Sequence, residues 1–216
     1  MGISEKPCGP LLERTRHGAR RPSADWRRDA FIRVTLQCLA EVGTQETGLR
    51  EIGRRANASP GLLRHYFEGK QDLLQESFKA LSEAYLQQIE SVLAAGNYSA
   101  HERLRNYTAW YFGPALDDTE ASGAYRAFLD QSRTDEELSA ILRGGRERHH
   151  QRLAAVIREA IEGCDSECDP VETAAVAVAI FNGLWLDLCC DGTRLSRDQA
   201  LETAWICLET LLSRRI

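Results

Sequence analysis

Apolar residues recur every three or four positions along most of the chain, and no stretch shows the alternation of a half-buried strand. Phe31, Val34, Cys38 and Val42 form one stripe over 25–42, which closes at Gly43 and carries Arg27 and Arg28 in its first turn. Leu74, Phe78, Leu81, Tyr85, Ile89 and Val92 form another over 71–95, ending at Gly96. Beyond it, Ser99-x-x-Glu102, Asp117-x-x-Glu120, Thr134-x-x-Glu137, Asp169-x-x-Glu172 and Ser196-x-x-Gln199 have capping-box spacing, in which two side chains three residues apart satisfy the orphan donors of a helix start. They place helices near 99–115, 118–132, 135–162, 170–191 and 196–214. The segment VETAAVAVAIFNGLWLDLCC is apolar nearly all round, which predicts burial on most sides. The last helix instead carries one broad stripe of Leu201, Ala204, Trp205, Leu208, Leu211 and Leu212. The pattern is that of an all-α protein.

Residues 47–72 read TGLREIGRRANASPGLLRHYFEGKQD. Leu49, Ile52 and Ala56 give one short helix an apolar face, Leu62, Leu63, Tyr66 and Phe67 give another, and Asn57-Ala58-Ser59 leaves room only for a sharp turn. Ser59 suits an N-cap, and Pro60 suits the first helical position, where a missing N–H costs nothing. The second helix then presents Gly61, Arg64 and His65 outward while Phe67 goes to the core. A short helix with a small residue near its start and a guanidinium outside, propped by a partner helix, suits the major groove of DNA. The set facing DNA is Thr47, Arg50, Ser59, Gly61, Arg64, His65, Tyr66 and Lys70. Arg64 can pair with a guanine edge, and Thr47, Tyr66 and Lys70 have donors for phosphate oxygens. The bland alternative is a solvated face with a core tyrosine. Residues 25–72 thus read as a three-helix, helix-turn-helix domain, joined by the long helix to a ligand-binding and dimerisation body over 73–216. One recognition helix reads few base pairs, so a homodimer on a palindromic double-stranded operator is expected.

Thr47, Ile52, Ala56, Ser59, Gly61, His65-Tyr66-Phe67, Lys70 and Leu73-Leu74 resemble the DNA-binding domain of the TetR family of repressors, over about residues 25–75. Gly53 and Asn57 depart from the family's usual Ala and Gly. Asn tolerates the left-handed turn conformation, whereas Gly53 is expected to loosen its helix by roughly 1 kcal/mol. Asn182-Gly183-Leu184-Trp185-Leu186 resembles the ninth helix of the BetI-like subgroup. The resemblance implies backbone contacts from Thr47, Tyr66 and Lys70. It also implies a four-helix dimer interface from 170–191 and 196–214, with 135–162 assisting, and a small-molecule effector whose binding spreads the two recognition helices through helix 71–95.

Charge supports a local DNA footprint. Residues 1–72 hold 13 Lys/Arg against 9 Asp/Glu, a net of +4, and residues 73–216 hold 14 against 23, a net of −9, within an overall −5. Residues 1–24, with Arg14, Arg16, Arg20 and Arg21, read as a disordered arm: either a tail or a basic strand reaching phosphate or the minor groove. At 43% apolar residues the chain can build a core, and no uninterrupted apolar run approaches the ~18 residues of a membrane span or opens the chain as a signal peptide. A cytoplasmic location with no membrane partner is expected. Seven irregularly spaced cysteines argue against a disulfide scaffold, with Cys38 and Cys207 on apolar faces.

Aromatic residues are 7% of the chain, yet Trp110, Tyr111, Phe112, Tyr125, Phe128 and Trp185 gather on three body helices. They read either as packing or as a cage whose ring faces hold a cation, with Asn182 beside Trp185 and a carboxylate available from Asp187. The cage reading makes the ligand set Trp110, Tyr111, Tyr125, Phe128, Asn182 and Trp185, and the effector a quaternary ammonium or an apolar molecule. His149-His150 point about 100° apart on a helix, which predicts a solvated face and no metal site. Cys164-x-x-x-Cys168, or Cys189-Cys190, would be the switch of a thiol-based redox sensor on the same fold, the alternative reading. No nucleophile–base pair, phosphate loop, carboxylate dyad or cofactor motif appears, so no cofactor and no enzyme activity is expected.

Overall fold

A computed structural model describes residues 24–190 and 194–213, and every regular element among them is helical. The expected arm lies almost wholly outside the described residues. The helices are α1 (Ala24–Glu46), α2 (Leu49–Arg55), α3 (Pro60–Tyr66), α4 (Lys70–Leu93), α5 (Ala100–Tyr111), α6 (Pro114–Asp117), α7 (Thr119–Gln131), α8 (Glu136–Ile161), α9 (Pro170–Cys190) and α10 (Arg197–Leu212). Ser99 and Ser196 form complete capping boxes with Glu102 and Gln199. Asp169 accepts from the N–H groups of Val171 and Glu172 at 2.7 and 3.0 Å. Two starts lie one residue later than expected: Asp118 caps α7 through the Ala121 N–H at 2.8 Å, and Asp135 accepts from Glu137 and Leu138 at the head of α8. The single helix expected over 99–115 breaks after Tyr111. Pro114 has no N–H and disfavours helical geometry at the residue before it, so the chain restarts as the short α6 with that proline first.

The chain divides into two compact units. One holds α1, α2, α3, α4 as far as Tyr85, α7, and α8 as far as Gly144, so the unit around the helix-turn-helix extends well beyond residues 25–72. Its core unites Phe31, Leu36, Leu39, Ile52, Leu63, Phe67, Leu73 and Phe78 with Ala124, Phe128 and Leu138. α1 packs on α2 and, more extensively, on α7. A Cβ on Gly123 would sit 2.9 Å from both Cα and Cβ of Ala40, so only glycine allows the two helices this approach. Phe128 stacks on Phe78 with ring centroids 4.4 Å apart. Being covered on two sides widens the buried arc of α1 beyond the stripe read from sequence: Leu36 and Leu39 are fully buried, while Val42 is 43% exposed.

The other unit holds α4 from Leu86, α5, α6, α8 from Gly145, α9 and α10. Ile89, Leu104, Tyr107, Phe112, Leu153, Ile157, Phe181 and Leu208 fill its interior. Here α9 departs from expectation. Ala174, Ala177, Val178 and Phe181 are buried, but Val176, Ala179, Gly183 and Leu186, at helical spacing along another face, stay exposed, Leu186 to 50%. Its all-round apolarity therefore reflects two apolar faces, of which a single chain covers one. α10 behaves alike, burying Ala200, Ala204, Leu208 and Leu212 and leaving Ile206 exposed. Pro170–Cys189, with Glu172 and Asp187 inside it, is long and apolar enough to cross a bilayer by length and composition only.

Candidate functional site

α2 and α3 meet across a turn in which Asn57 takes φ 50° and the Ala58 N–H donates to the Gly53 carbonyl at 2.8 Å. Gly53 makes this turn possible instead of merely loosening α2. A Cβ there would stand 2.9 Å from the Ala58 carbonyl oxygen and 3.2 Å from Leu63 Cδ1. The Ser59 hydroxyl accepts from the Leu62 N–H at 3.2 Å, capping α3 as its sequence requires.

Arg50, Ser59, Gly61, Arg64 and His65 are exposed on these two helices. The remaining three expected DNA contacts also engage neighbours within the domain. Thr47 is fully buried, and its hydroxyl donates to the Gly43 carbonyl at 2.6 Å, near the end of α1. Lys70 is half-buried and donates to the Thr44 carbonyl at 2.8 Å. The Tyr66 ring packs on Phe31, 5.6 Å between centroids, and meets His65 edge-on at 5.3 Å. These three set where α3 lies. Hydrogen bonds from Arg54 and then Arg55 hold the Glu51 carboxyl at about 2, and Arg55 also reaches Glu41 at 2.5 Å. The two arginines of α2's last turn are thus engaged within the domain, whereas Arg50 and Arg64 make no ion pair among the described residues.

In the other unit, rings of α5 and its C-cap Phe112 surround Phe181 of α9. Tyr107 stacks on it at 5.8 Å, and Tyr111 and Phe112 meet it edge-on at 5.4 and 5.5 Å. Each polar group in this cluster has a partner. The Tyr111 hydroxyl donates to Asn182 Oδ1 at 2.7 Å, the Trp110 indole N–H donates to Gln88 Oε1 at 3.3 Å, and the Tyr107 hydroxyl lies 2.7 Å from His149 Nε2. His149 is 6% exposed and not on a solvated face, because it points inward to Tyr107. Burial pushes its imidazole down to about 3, so it is neutral, and burial pushes the Tyr107 phenol well above its ordinary value.

The cluster thus brings together Trp110, Tyr111 and Asn182, with Trp185 half-buried one turn further along α9. Tyr125 and Phe128 do not join it. They belong to the unit of the helix-turn-helix, where Phe128 is fully buried and Tyr125 packs against the same core. Sequence reasoning missed Tyr107, Phe181 and His149. The four-residue spacing of Tyr107 and Tyr111, which puts both on one helix face, was the available signal for the first. Neither Cys164 nor Cys168 forms a disulfide, and among the described residues no group of three His, Cys, Asp or Glu side chains could hold a metal.

A capped seven-residue helix presented beyond a tight turn, on a support helix whose last-turn arginines are tied down while Arg50 stays exposed, defines a helix-turn-helix DNA-binding regulator. Residues 31–77 match the bacterial regulatory proteins of the tetR family, and residues 100–213 match the C-terminal region of BetI-type transcriptional repressors. The chain belongs to the TetR family and is a transcriptional repressor of the BetI type. Similar curated proteins include the transcriptional regulator BetI of Burkholderia mallei, 29% identical over 194 residues that cover 88% of this chain and 95% of that one. BetI of Yersinia pestis is 27% identical, covering 81% and 87%. Among solved structures, a transcriptional regulator from Pseudomonas aeruginosa PAO1 superposes with a TM-score of 0.79 at 23% identity, covering 89% of this chain and 93% of that one. A regulator from Saccharomonospora viridis, solved in complex with choline, has a TM-score of 0.77 at 17% identity, covering 87% and 98%.

Proposed function

We propose that this repressor binds a palindromic operator as a homodimer in the cytoplasm and is released by a small quaternary ammonium or apolar effector held among the rings of α5 and α9. The observation that carries the effector reading is the buried cluster of Tyr107, Trp110, Tyr111 and Phe181, with the Tyr111–Asn182 hydrogen bond beside it, inside the BetI-type region. Ring faces attract a cation at roughly 0.5–2 kcal/mol per contact, so three rings supply about 1.5–6 kcal/mol of the roughly 8 kcal/mol that micromolar affinity requires. The choline bound to the Saccharomonospora viridis relative supports the same chemistry.

The exposed apolar faces of α9 and α10 support the homodimer, since surface of that kind is normally covered by a partner. Arg64, with Arg50 and His65, reads the major groove, and Ser59 and Gly61 let the start of α3 approach the backbone. An effector that favours the state with the recognition helices too far apart lowers operator affinity by its differential affinity for that state and by no more, with α4 carrying the shift.

Calorimetric titration with choline and betaine tests this, on a sample whose mass by light scattering is about twice 24.2 kDa. The expected outcome is saturable heat that disappears in Tyr111→Ala. No heat and no thermal shift with any quaternary amine refutes the effector class, and a monomer at micromolar concentration refutes the dimer.

A further inference from the structure

The charge and position of Arg28, in the first turn of α1, would suit a phosphate contact, but its side chain is turned inward. Its guanidinium carbon lies 5.3 Å from the ring centroid of Phe67, the residue that ends α3, and its Nη2 donates to the Glu76 carboxylate of α4. Glu76 also accepts from Lys79 at 3.1 Å, and Lys79 pairs with Glu137 of α8 at 3.6 Å. One turn along α1, Phe31 meets the same Phe67 ring edge-on at 6.3 Å. The recognition helix has seven residues, of which only Leu63 is fully inside, so how Phe67 is held decides much of its direction.

We infer that Arg28 is a positioning residue for operator recognition: seated between Phe67 and Glu76, it fixes the end of α3 against α4 and makes no phosphate contact of its own. A guanidinium fits this role because its planar fork pairs with a carboxylate while its face lies over a ring, which the point charge of a lysine cannot reproduce. Both partners are partly exposed, at 38% and 25%, so the ion pair alone contributes little stability. Its consequence lies in orientation, since three helices converge on one side chain.

The test uses the full chain and a palindromic duplex that the parent protein selects from a random library. Arg28→Gln and Glu76→Gln are each expected to weaken binding by about tenfold, and the double variant no more than either alone, because both break one junction. Arg28→Lys is expected to restore only part of the affinity. The slope of log affinity against log salt should stay at the parent's value in all variants, whereas loss of a phosphate contact would flatten it by about 1. Thermal midpoints taken alongside correct each affinity for the folded fraction, and Glu76→Gln, with a near-isosteric neutral side chain, carries the test if Arg28→Gln folds poorly. A flattened slope in Arg28→Gln with parent-like binding by Glu76→Gln would make Arg28 a phosphate contact and overturn the inference. Parent-like affinity of both single variants would overturn it as well.

Discussion

At the tip of α2 and α3, the residues proposed to meet DNA are exposed, and the turn and cap that shape their backbone lie within a few positions along the chain, Ser59 capping α3 and Asn57 turning the corner. In the ring cluster of α5 and α9, the polar groups are themselves buried, and their partners come from 42 and 71 residues away. The contrast bears on what a substitution does. At the tip, a side chain can be removed with loss of binding and little loss of stability. In the cluster, each polar group depends on its partner to offset desolvation, so binding and stability change together.

Three experiments would break or sharpen this comparison. The largest effect is expected from Phe128→Ala, which empties the stack on Phe78 and should cost ~3–5 kcal/mol in denaturant unfolding. Effector heat per folded molecule should be unchanged. Its disappearance would return Phe128 to the effector site and blur the division between the two regions.

Next is the response of the cluster to acid. His149 takes up a proton near 6.5 in the unfolded chain but only near 3 when folded, so between those values the unfolded state binds more protons. Stability is therefore full above about pH 6.5 and falls as the pH is lowered, by roughly 2–3 kcal/mol at pH 4.5. His149→Gln should flatten that difference. An equal pH dependence in the variant would mean that other groups govern acid sensitivity.

The smallest effect is expected at the tip. Arg64→Ala should cost ~1–3 kcal/mol of operator affinity and relax base preference at one position per half-site, with the unfolding midpoint within experimental scatter of the parent. A fall in stability comparable to that of Phe128→Ala would show that the tip is not energetically separate from its core.

The helix-turn-helix was legible in the residues because its turn, cap and outward face are local. Pro60 after Ser59, the Leu62-Leu63 pair and the outward Arg64 all sit within one or two turns of what they affect. The effector cluster was half legible. Trp110 and Tyr111 came from composition and spacing and Asn182 from the family resemblance, but Tyr125 and Phe128 lie on an equally apolar stripe whose partner is the core of the helix-turn-helix. His149 was misjudged because its charged neighbours Arg146, Glu147 and Arg148 occupy other faces of α8, and adjacency along a helix says nothing about shared direction.

The sequence by itself determined the all-helical class, most helix starts, the recognition turn and the family, since capping, turn geometry and apolar periodicity act over about four residues. Only the tertiary structure decided which face met which. An apolar stripe states that a face must be covered, but not by what, and so α7 could be assigned to α1 only through the approach of Gly123 to Ala40. The same holds for the meeting of Arg28, Phe67 and Glu76, and for the second apolar face of α9. These are properties of helices brought together from distant parts of the chain, where packing selects among pairings that local propensity leaves equal in energy.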